Sequence, residues 1–382
     1  MNIIGQLMEL GIPFLAFDFK RDLRHLIRHF SMWVFRWSDL RINLLQPPPG
    51  VGLKTWEGLF CDLYAFTYGW FHGSRNMLQE YLHDLYESEG SKATLLKLYE
   101  LIKNAEERTR KRQEYYDVVA NRLFSTVTNL GDVISCEESM DIEELLRHPC
   151  VIELDGLPRD EQNLLIDWFL FWIYAYRLAQ GHRGVLKHVL IFDEAKRVFD
   201  ANKELRQTTE ELGVAPIDII TDEIREFGEA LIVSDQEPSK LTHSIKANTY
   251  TKICGSLGHG GDIADIAEAM NLSDEERKAI SMLERGEWIV KLSGRYTKPF
   301  MIRTRDFPVK KDVSDGELAE RMKPVIERLM PRIEPKNAYL EGRKAKRELS
   351  EDAWRLLINI NGHPFNGISA RAKQLRLSPR RV

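Results

Sequence analysis

Apolar runs that stop at acids punctuate this chain. Val185-Leu-Lys-His-Val-Leu-Ile-Phe-Asp-Glu-Ala195 is nearly continuous in hydrophobic residues and ends in two adjacent carboxylates, Asp193 and Glu194. A strand that reads this way is covered on both faces, as in a parallel sheet. Ile12-Pro-Phe-Leu-Ala-Phe-Asp18 has the same form, and so do Ala230-Leu-Ile-Val-Ser-Asp235 and Cys150-Val-Ile-Glu-Leu154. Between these runs the period changes to 3.6 residues. Asn2–Leu10 reads as a helix ended by Gly11, and Arg159–Gly181 as one long helix. Trp56 to Asn129 is rich in helix formers and predicts about four helices. Tyr250–Gly255, Glu287–Leu292 and Pro299–Arg303 read as later, edge-side strands. Strands alternating with helices imply an α/β fold with a mainly parallel sheet. The opening helix–Gly–strand is the second half of a βαβ unit whose first strand would precede Met1.

Pro47-Pro-Pro-Gly50 breaks the pattern early, and the expected organisation follows from such shifts. Residues 1–50 hold the first part of the core, 51–148 an all-α insertion and 149–310 the rest of the core. Residues 311–348 read as a helical linker, and 349–382 as a partial helix-turn-helix or winged-helix-like tail. From Glu341 to Val382 ten Lys and Arg stand against four acids, a net charge of +6. Leu349–Asn359 is amphipathic with Ser350 as N-cap, and Gly367–Arg381 has the rhythm of helix, turn and a second helix start. A solvated basic tail is the alternative.

Composition narrows the class. The 382 residues carry a net charge of −4, with 43% hydrophobic and 29% charged residues. That is ordinary for a globular protein and argues against a simple basic coat for nucleic acid. Cys61, Cys136, Cys150 and Cys254 have no paired spacing, which fits reduced thiols and a cytoplasmic location. The most apolar helical run, Trp168–Tyr176, lies between Asp167 and Arg177. It is far short of the roughly 20 residues that cross a bilayer, so no membrane insertion is expected.

The acids at strand ends are the candidate chemistry. Asp193 and Glu194 end their strand as the Walker B strand of a P-loop ATPase does. Ligands of parallel sheets bind outside the carboxyl ends of the strands. An Asp there can hold the Mg²⁺ of a nucleotide, directly or through water. The following Glu can orient or deprotonate the water that attacks the γ-phosphate. Asp18 would face the same crevice as an outer group for metal or water. Gln236, in Ser234-Asp-Gln-Glu-Pro-Ser239, would be a polar amide at a strand tip, able to sense the γ-phosphate. Arg225, just ahead of the same strand, could act in trans on a neighbouring subunit, an effect worth about 10³–10⁵ in rate. Each has a plain structural alternative: a solvated acid pair, a strand-ending Asp, a turn residue, and an Arg paired with Glu223, Glu226 or Glu229.

No G-x-x-x-x-G-K-[ST] phosphate cradle occurs. The nearest string, Gly50-Val-Gly-Leu-Lys-Thr55, has Leu53 between Gly52 and Lys54, which puts the cradle out of register. No HExxH or other metal spacing is seen, and no G-x-S-x-G elbow. Gly258-His-Gly-Gly-Asp262 reads as a flexible loop.

Seven strings align in order over roughly residues 2–305. They are Phe17-Asp-Phe-Lys20, Arg41-Ile-Asn-Leu-Leu-Gln-Pro-Pro-Pro-Gly50, Ile152-Glu-Leu-Asp-Gly-Leu-Pro158, Leu190-Ile-Phe-Asp-Glu-Ala-Lys-Arg197, Arg225–Ser239, Leu283–Val290 and Lys298-Pro-Phe300. Together they resemble the HerA–FtsK superfamily of ring-forming DNA-pumping ATPases, most of all its HerA-like, DUF87-type branch, which shades into the conjugative ATPases. The resemblance implies a RecA-like P-loop NTPase core that uses ATP and Mg²⁺. It implies Asp193 and Glu194 as the Walker B pair, Gln236 as the sensor and Arg225 as the trans-acting arginine. Asp18 matches the acid that ends the strand after the P-loop helix. The implied function is an ATP-driven translocase or helicase-type motor subunit, working as a homo-oligomeric, hexameric ring on double-stranded DNA, with a nuclease or conjugation partner.

The chain also departs from the family pattern. Lys196 stands where members often have His, and Asp235 and Glu237 flank Gln236 where less acidic residues are usual. In the family the Walker A motif lies immediately before the helix that opens this chain. The chain therefore reads as a fragment, or as a reading frame started too late: an ATPase when completed upstream, and inactive alone. Two other readings stand beside this one. One is a P-loop-less scaffold or regulatory subunit that binds DNA without hydrolysis. The other is a conjugation or secretion motor.

Overall fold

Five strands pair side by side, all parallel, in the order β2-β3-β1-β4-β5. They are β1 Phe14–Asp18, β2 Trp33–Arg36, β3 Cys150–Glu153, β4 His188–Phe192 and β5 Glu229–Val233. Every residue of β1, β3 and β4 is buried, which is why these runs lack polar alternation. Phe17 stands opposite Ile152 on one side and Phe192 on the other. The computed structural model describes residues 1–105, 110–201 and 216–330. The expected tail helices at 349–382, and the linker from 331 on, lie outside the described residues.

Helix α1 (Asn2–Glu9) leads into β1 through Gly11, whose φ of +64° is a left-handed turn that glycine adopts without strain. Four helices follow β2: α2 Leu53–Tyr68, α3 His72–Glu89, α4 Leu95–Lys103 and α5 Arg110–Leu130. The short α6 (Ile142–Leu145) precedes β3, and α7 (Arg159–Gln180) joins β3 to β4. The string Gly50–Thr55 has no strand ahead of it and turns into α2, with Gly52 as the N-cap.

Burial explains the composition of α7. Its residues from Glu161 to Ile173 are all buried. Phe169 packs against Phe17 of β1 at 5.9 Å between ring centroids. The Trp168 indole donates to the Leu44 carbonyl at 3.1 Å, and Thr67 of α2 donates to Asp167 at 2.8 Å. The helix is thus apolar almost all round because sheet and helices both cover it. No helix among the described residues is long and apolar enough to cross a membrane.

Helix α8 (Pro216–Glu223) precedes β5, and beyond that strand come α9 (His243–Asn248), α10 (Gly260–Met270), α11 (Asp274–Ile280) and α12 (Asp315–Leu329). β6 Thr251–Cys254, β7 Glu287–Leu292 and β8 Phe300–Arg303 are strands, as expected, but they do not extend the parallel sheet. They form a separate antiparallel sheet, β6-β7-β8, with α10 and α11 over a small core of Cys254, Ala267, Met270, Ile280, Leu283 and Ile289. The β7–β8 pair is joined by a short connection, which favours antiparallel pairing with the neighbour in sequence. β2, with only four residues, is too short to announce itself in the pattern of the sequence.

A buried ion pair ties the loop after β1 to β3. Arg24 donates to Glu153 at 2.6 Å, both side chains almost wholly inaccessible, and it also reaches the half-exposed Asp315 at the start of α12. Burial pushes the Glu153 carboxyl up against the pull of Arg24. A carboxylate left alone in such a place is costly. Arg24→Ala is therefore expected to destabilise the protein by about 3–5 kcal/mol. Arg24→Leu combined with Glu153→Leu should recover most of that loss in urea denaturation. Equal destabilisation by the single and double variants would contradict this account.

Candidate functional site

Parallel pairing brings the carboxyl ends of neighbouring strands to one edge, about 4.8 Å apart. Asp18 closes β1, Asp193 follows β4 directly, and the Ser234–Ser239 loop follows β5. Because β1, β4 and β5 are consecutive in the sheet, these three ends are neighbours. The ladder continues past the strands: the Ser234 amide donates to the Phe192 carbonyl at 2.9 Å, and the Ala195 amide to the Ser234 carbonyl at 3.0 Å.

Asp18 is buried and serves the loop that leaves β1. Its carboxylate accepts from the Lys20 amide at 2.8 Å and from the Leu23 amide at 2.7 Å. Burial raises its pKa, and those two amides oppose the rise. It stands near enough to Asp193 to feel that charge.

Asp193 is exposed, and its carboxylate has no hydrogen-bond or ion-pair partner among the described residues. Met1, at the start of α1, lies near enough to Asp193 to feel its charge, so the first turn of α1 approaches this carboxylate. No group of three or more His, Cys, Asp or Glu among the described residues could hold a metal. Mg²⁺ in nucleotide sites takes one or two carboxylates, with phosphate and water for the rest. A single unengaged carboxylate beside a helix N-terminus fits that requirement.

Glu194 starts a 3-10 turn, Ala195–Arg197, from a left-handed conformation with φ +52°. A non-glycine residue there is strained by roughly 1–2 kcal/mol. Its carboxylate is engaged at both oxygens, by Lys20 Nζ at 2.5 Å and by Arg197 Nε at 2.8 Å. The Lys20 pairing, with help from Arg197 and against partial burial, holds its carboxyl below the usual carboxylate range. Lys20 and Arg197 both lie in strings visible in the sequence, Phe17–Lys20 and Leu190–Arg197, but nothing local to either string pairs them with Glu194.

Gln236 is exposed at the loop tip, while its two acidic neighbours are tied down. Asp235 accepts from the Lys196 amide at 2.8 Å and from the Glu237 amide at 2.8 Å. Glu237 pairs with Lys196 and, at 2.5 Å, with Lys240. The β4 and β5 loops are therefore joined by backbone, carboxylate and ion-pair contacts.

Arg225 is elsewhere. It lies in the turn Ile224–Phe227 ahead of β5, at the amino end of the strand whose far end carries Gln236. A five-residue strand spans about 17 Å. Arg225 is exposed and stacks over the Tyr250 ring, 4.6 Å from its centroid. The structure thus brings together Asp18, Asp193, Glu194 and the Gln236 loop, and sets Arg225 at the opposite edge.

No family profile matches the sequence, and a search of curated proteins finds no match. Among solved structures, VirB4 of Thermoanaerobacter pseudethanolicus is similar with a TM-score of 0.58, at 18% identity, over 78% of this chain and 83% of that one. The plasmid coupling protein TrwB in complex with ADP and Mg²⁺ aligns at 10% identity over 80% of this chain and 88% of that one, with a TM-score of 0.47. The genome packaging NTPase of Sulfolobus turreted icosahedral virus 2 aligns at 18% identity over 42% and 69%, with a TM-score of 0.30. The last two fall below the level at which a fold is shared, so the assignment rests on the first.

The loop contacts have a pH signature. Lys196 first, then Lys240, hold the Glu237 carboxyl down to about 2, against an ordinary 4.5. A depressed carboxylate stabilises above its ordinary pKa and loses that contribution as pH falls through the folded value. The pair is partly exposed, so the effect is small. Lys196→Met should shrink the fall in Tm between about pH 5 and 3; an unchanged fall would show that the pairing does not persist in solution. On fold, the chain has the α/β, RecA-like architecture with a mainly parallel sheet that it shares with VirB4.

Proposed function

We propose that this chain is the core of an ATP-driven motor subunit that works as a hexameric ring on double-stranded DNA. The observation that carries the reading is the meeting of Asp193, Glu194, Asp18 and the Gln236 loop at three adjacent ends of a parallel sheet, beside the start of α1. A helix N-terminus at such an edge favours phosphate. The bound Mg·ATP supplies the phosphoryl group and neutralises its charge.

Asp193, with its carboxylate unengaged, would hold the Mg²⁺. Glu194 would orient the attacking water and take its proton. Gln236 would hydrogen-bond the γ-phosphate, and Asp235 would pass its position to the β4 loop through the Lys196 amide. Arg225, exposed at the opposite edge, would serve a neighbouring subunit's nucleotide.

A motor ATPase of this kind also needs a Walker A strand, which is not among the described residues. β5 is an edge among the described residues, and its apolar Ala230-Leu-Ile-Val233 is only half buried there. A strand of that composition is suited to partners on both sides. β6 is also an edge of its sheet, and Arg225 on Tyr250 joins the segments that lead into β5 and β6. A Walker A strand along β5 would run its loop into α1.

DNA as the substrate rests on the resemblance of the motifs. Such a ring neutralises phosphates, so its affinity should fall with salt and depend little on sequence.

In the protein with a Walker A segment ahead of Met1, Glu194→Gln should keep ATP binding and lower turnover by about 10²–10⁴-fold. Unchanged turnover would remove Glu194 from the role. Arg225→Ala subunits mixed with Glu194→Gln subunits should partly restore activity, because in one of its two orders a mixed interface combines an intact Glu194 with an intact Arg225. No rescue at any mixing ratio counts against action in trans. ATP neither bound nor hydrolysed would favour a non-catalytic, DNA-binding scaffold instead.

A further inference from the structure

Glu194 is held by two cations that are themselves held very differently. The Arg197 guanidinium stacks 4.2 Å over the Phe19 ring and donates to Gln162 of α7 at 2.8 Å, so it is fixed from two other elements. Lys20 has Glu194 as its side-chain partner, at 2.5 Å, and 55% of its side chain is exposed. An exposed ion pair is weak and readily exchanged. Lys20 lies two residues past the end of β1, the strand beside β4 that carries Asp193. A polyphosphate arriving at this edge brings several negative charges within reach of the same ammonium.

The charged groups facing Glu194 are Lys20 from the β1 loop, Arg197 and Lys196 from its own turn, and its neighbour Asp193. Lys196 is engaged by Glu237, and Arg197 by Phe19 and Gln162. Lys20 is the exchangeable member of this set. While it stays, Oε1 of Glu194 faces an ammonium and Oε2 a guanidinium, so both oxygens of the carboxylate are engaged.

We propose that Lys20 is a positioning residue that pairs with Glu194 in the nucleotide-free site and transfers to a phosphate oxygen when nucleotide binds, releasing Oε1 of Glu194 to the attacking water. This rests on the ATPase reading of the same site. It gives the lysine of Phe17-Asp-Phe-Lys20 a role that links occupancy of the phosphate position to availability of the base.

The test compares Lys20→Met and Lys20→Arg in the protein with its Walker A segment. The pH profile of kcat/KM reports the free enzyme, and that of kcat the complex. Lys20→Met should move the acid limb of kcat/KM to higher pH and leave the acid limb of kcat in place. Lys20→Arg should return the wild-type profile. A shift in both limbs would mean that Lys20 stays on Glu194 throughout, which overturns the transfer; no shift in either removes the lysine from the reaction.

A second readout needs no turnover. Acylation of Lys20 in the 382-residue chain by an N-hydroxysuccinimide ester, read by mass spectrometry, should rise several-fold in Glu194→Gln. If it rises but the longer protein neither binds nor hydrolyses ATP, the ATPase reading fails and the transfer with it. If ATP is hydrolysed while labelling and both profiles are unchanged, the ATPase reading stands and the Lys20 proposal alone falls.

Discussion

The parallel pairing of β1 with β4 is the constraint on which the rest depends. Phe17 stands opposite Phe192 in this pair, their rings 5.7 Å apart, and both strands are buried along their whole length. A slip of one residue would turn every side chain of either strand to the wrong face. The register therefore fixes where each strand ends, and hence that Asp18 and Asp193 emerge together. It also determines the setting of α7, which must meet Phe17 with Phe169, the loop after β2 with Trp168 and α2 with Asp167.

At the edge so formed, the chemistry is one of matched charge around strained backbone. Asp18 spends both oxygens on amides of its own loop, which shapes the turn that presents Lys20. Glu194 sits in a left-handed conformation between Lys20 and Arg197. The ordered environment compensates for the strain, a pattern common where geometry serves a site.

Lys196, far along the chain from Asp235 and Glu237, proves to be their neighbour. Lys196 donates through its amide to Asp235 and pairs through its ammonium with Glu237. An acidic pair flanking Gln236 would repel Asp193 and Glu194 across the strands if it were left unpaired. The lysine offsets that charge and joins the two loops at the same time. Residues that look independent along the chain are one set of contacts in space.

Much of this was legible beforehand. Buried strands announce themselves by unbroken apolar runs, so β1, β3, β4 and β5 were visible, as were α1 and α7. Asp18, Asp193, Glu194 and Gln236 could be picked out because acids and amides at the tips of such runs are conspicuous. β2 was not legible, since four residues carry too little pattern. The separate sheet β6-β7-β8 was read as an extension of the first, because periodicity reports that a strand exists and says nothing of its partner.

By itself, then, the sequence determined the α/β class, four of the five strands of the core and the residues at their tips, because these follow from local periodicity and burial. Tertiary structure decided the rest: the order β2-β3-β1-β4-β5, the placing of Arg225 at the opposite edge, and the grip of Lys20 and Arg197 on Glu194. Lys20 and Glu194 are far apart in the chain, and only the alignment of two parallel strands brings their charges within bonding distance.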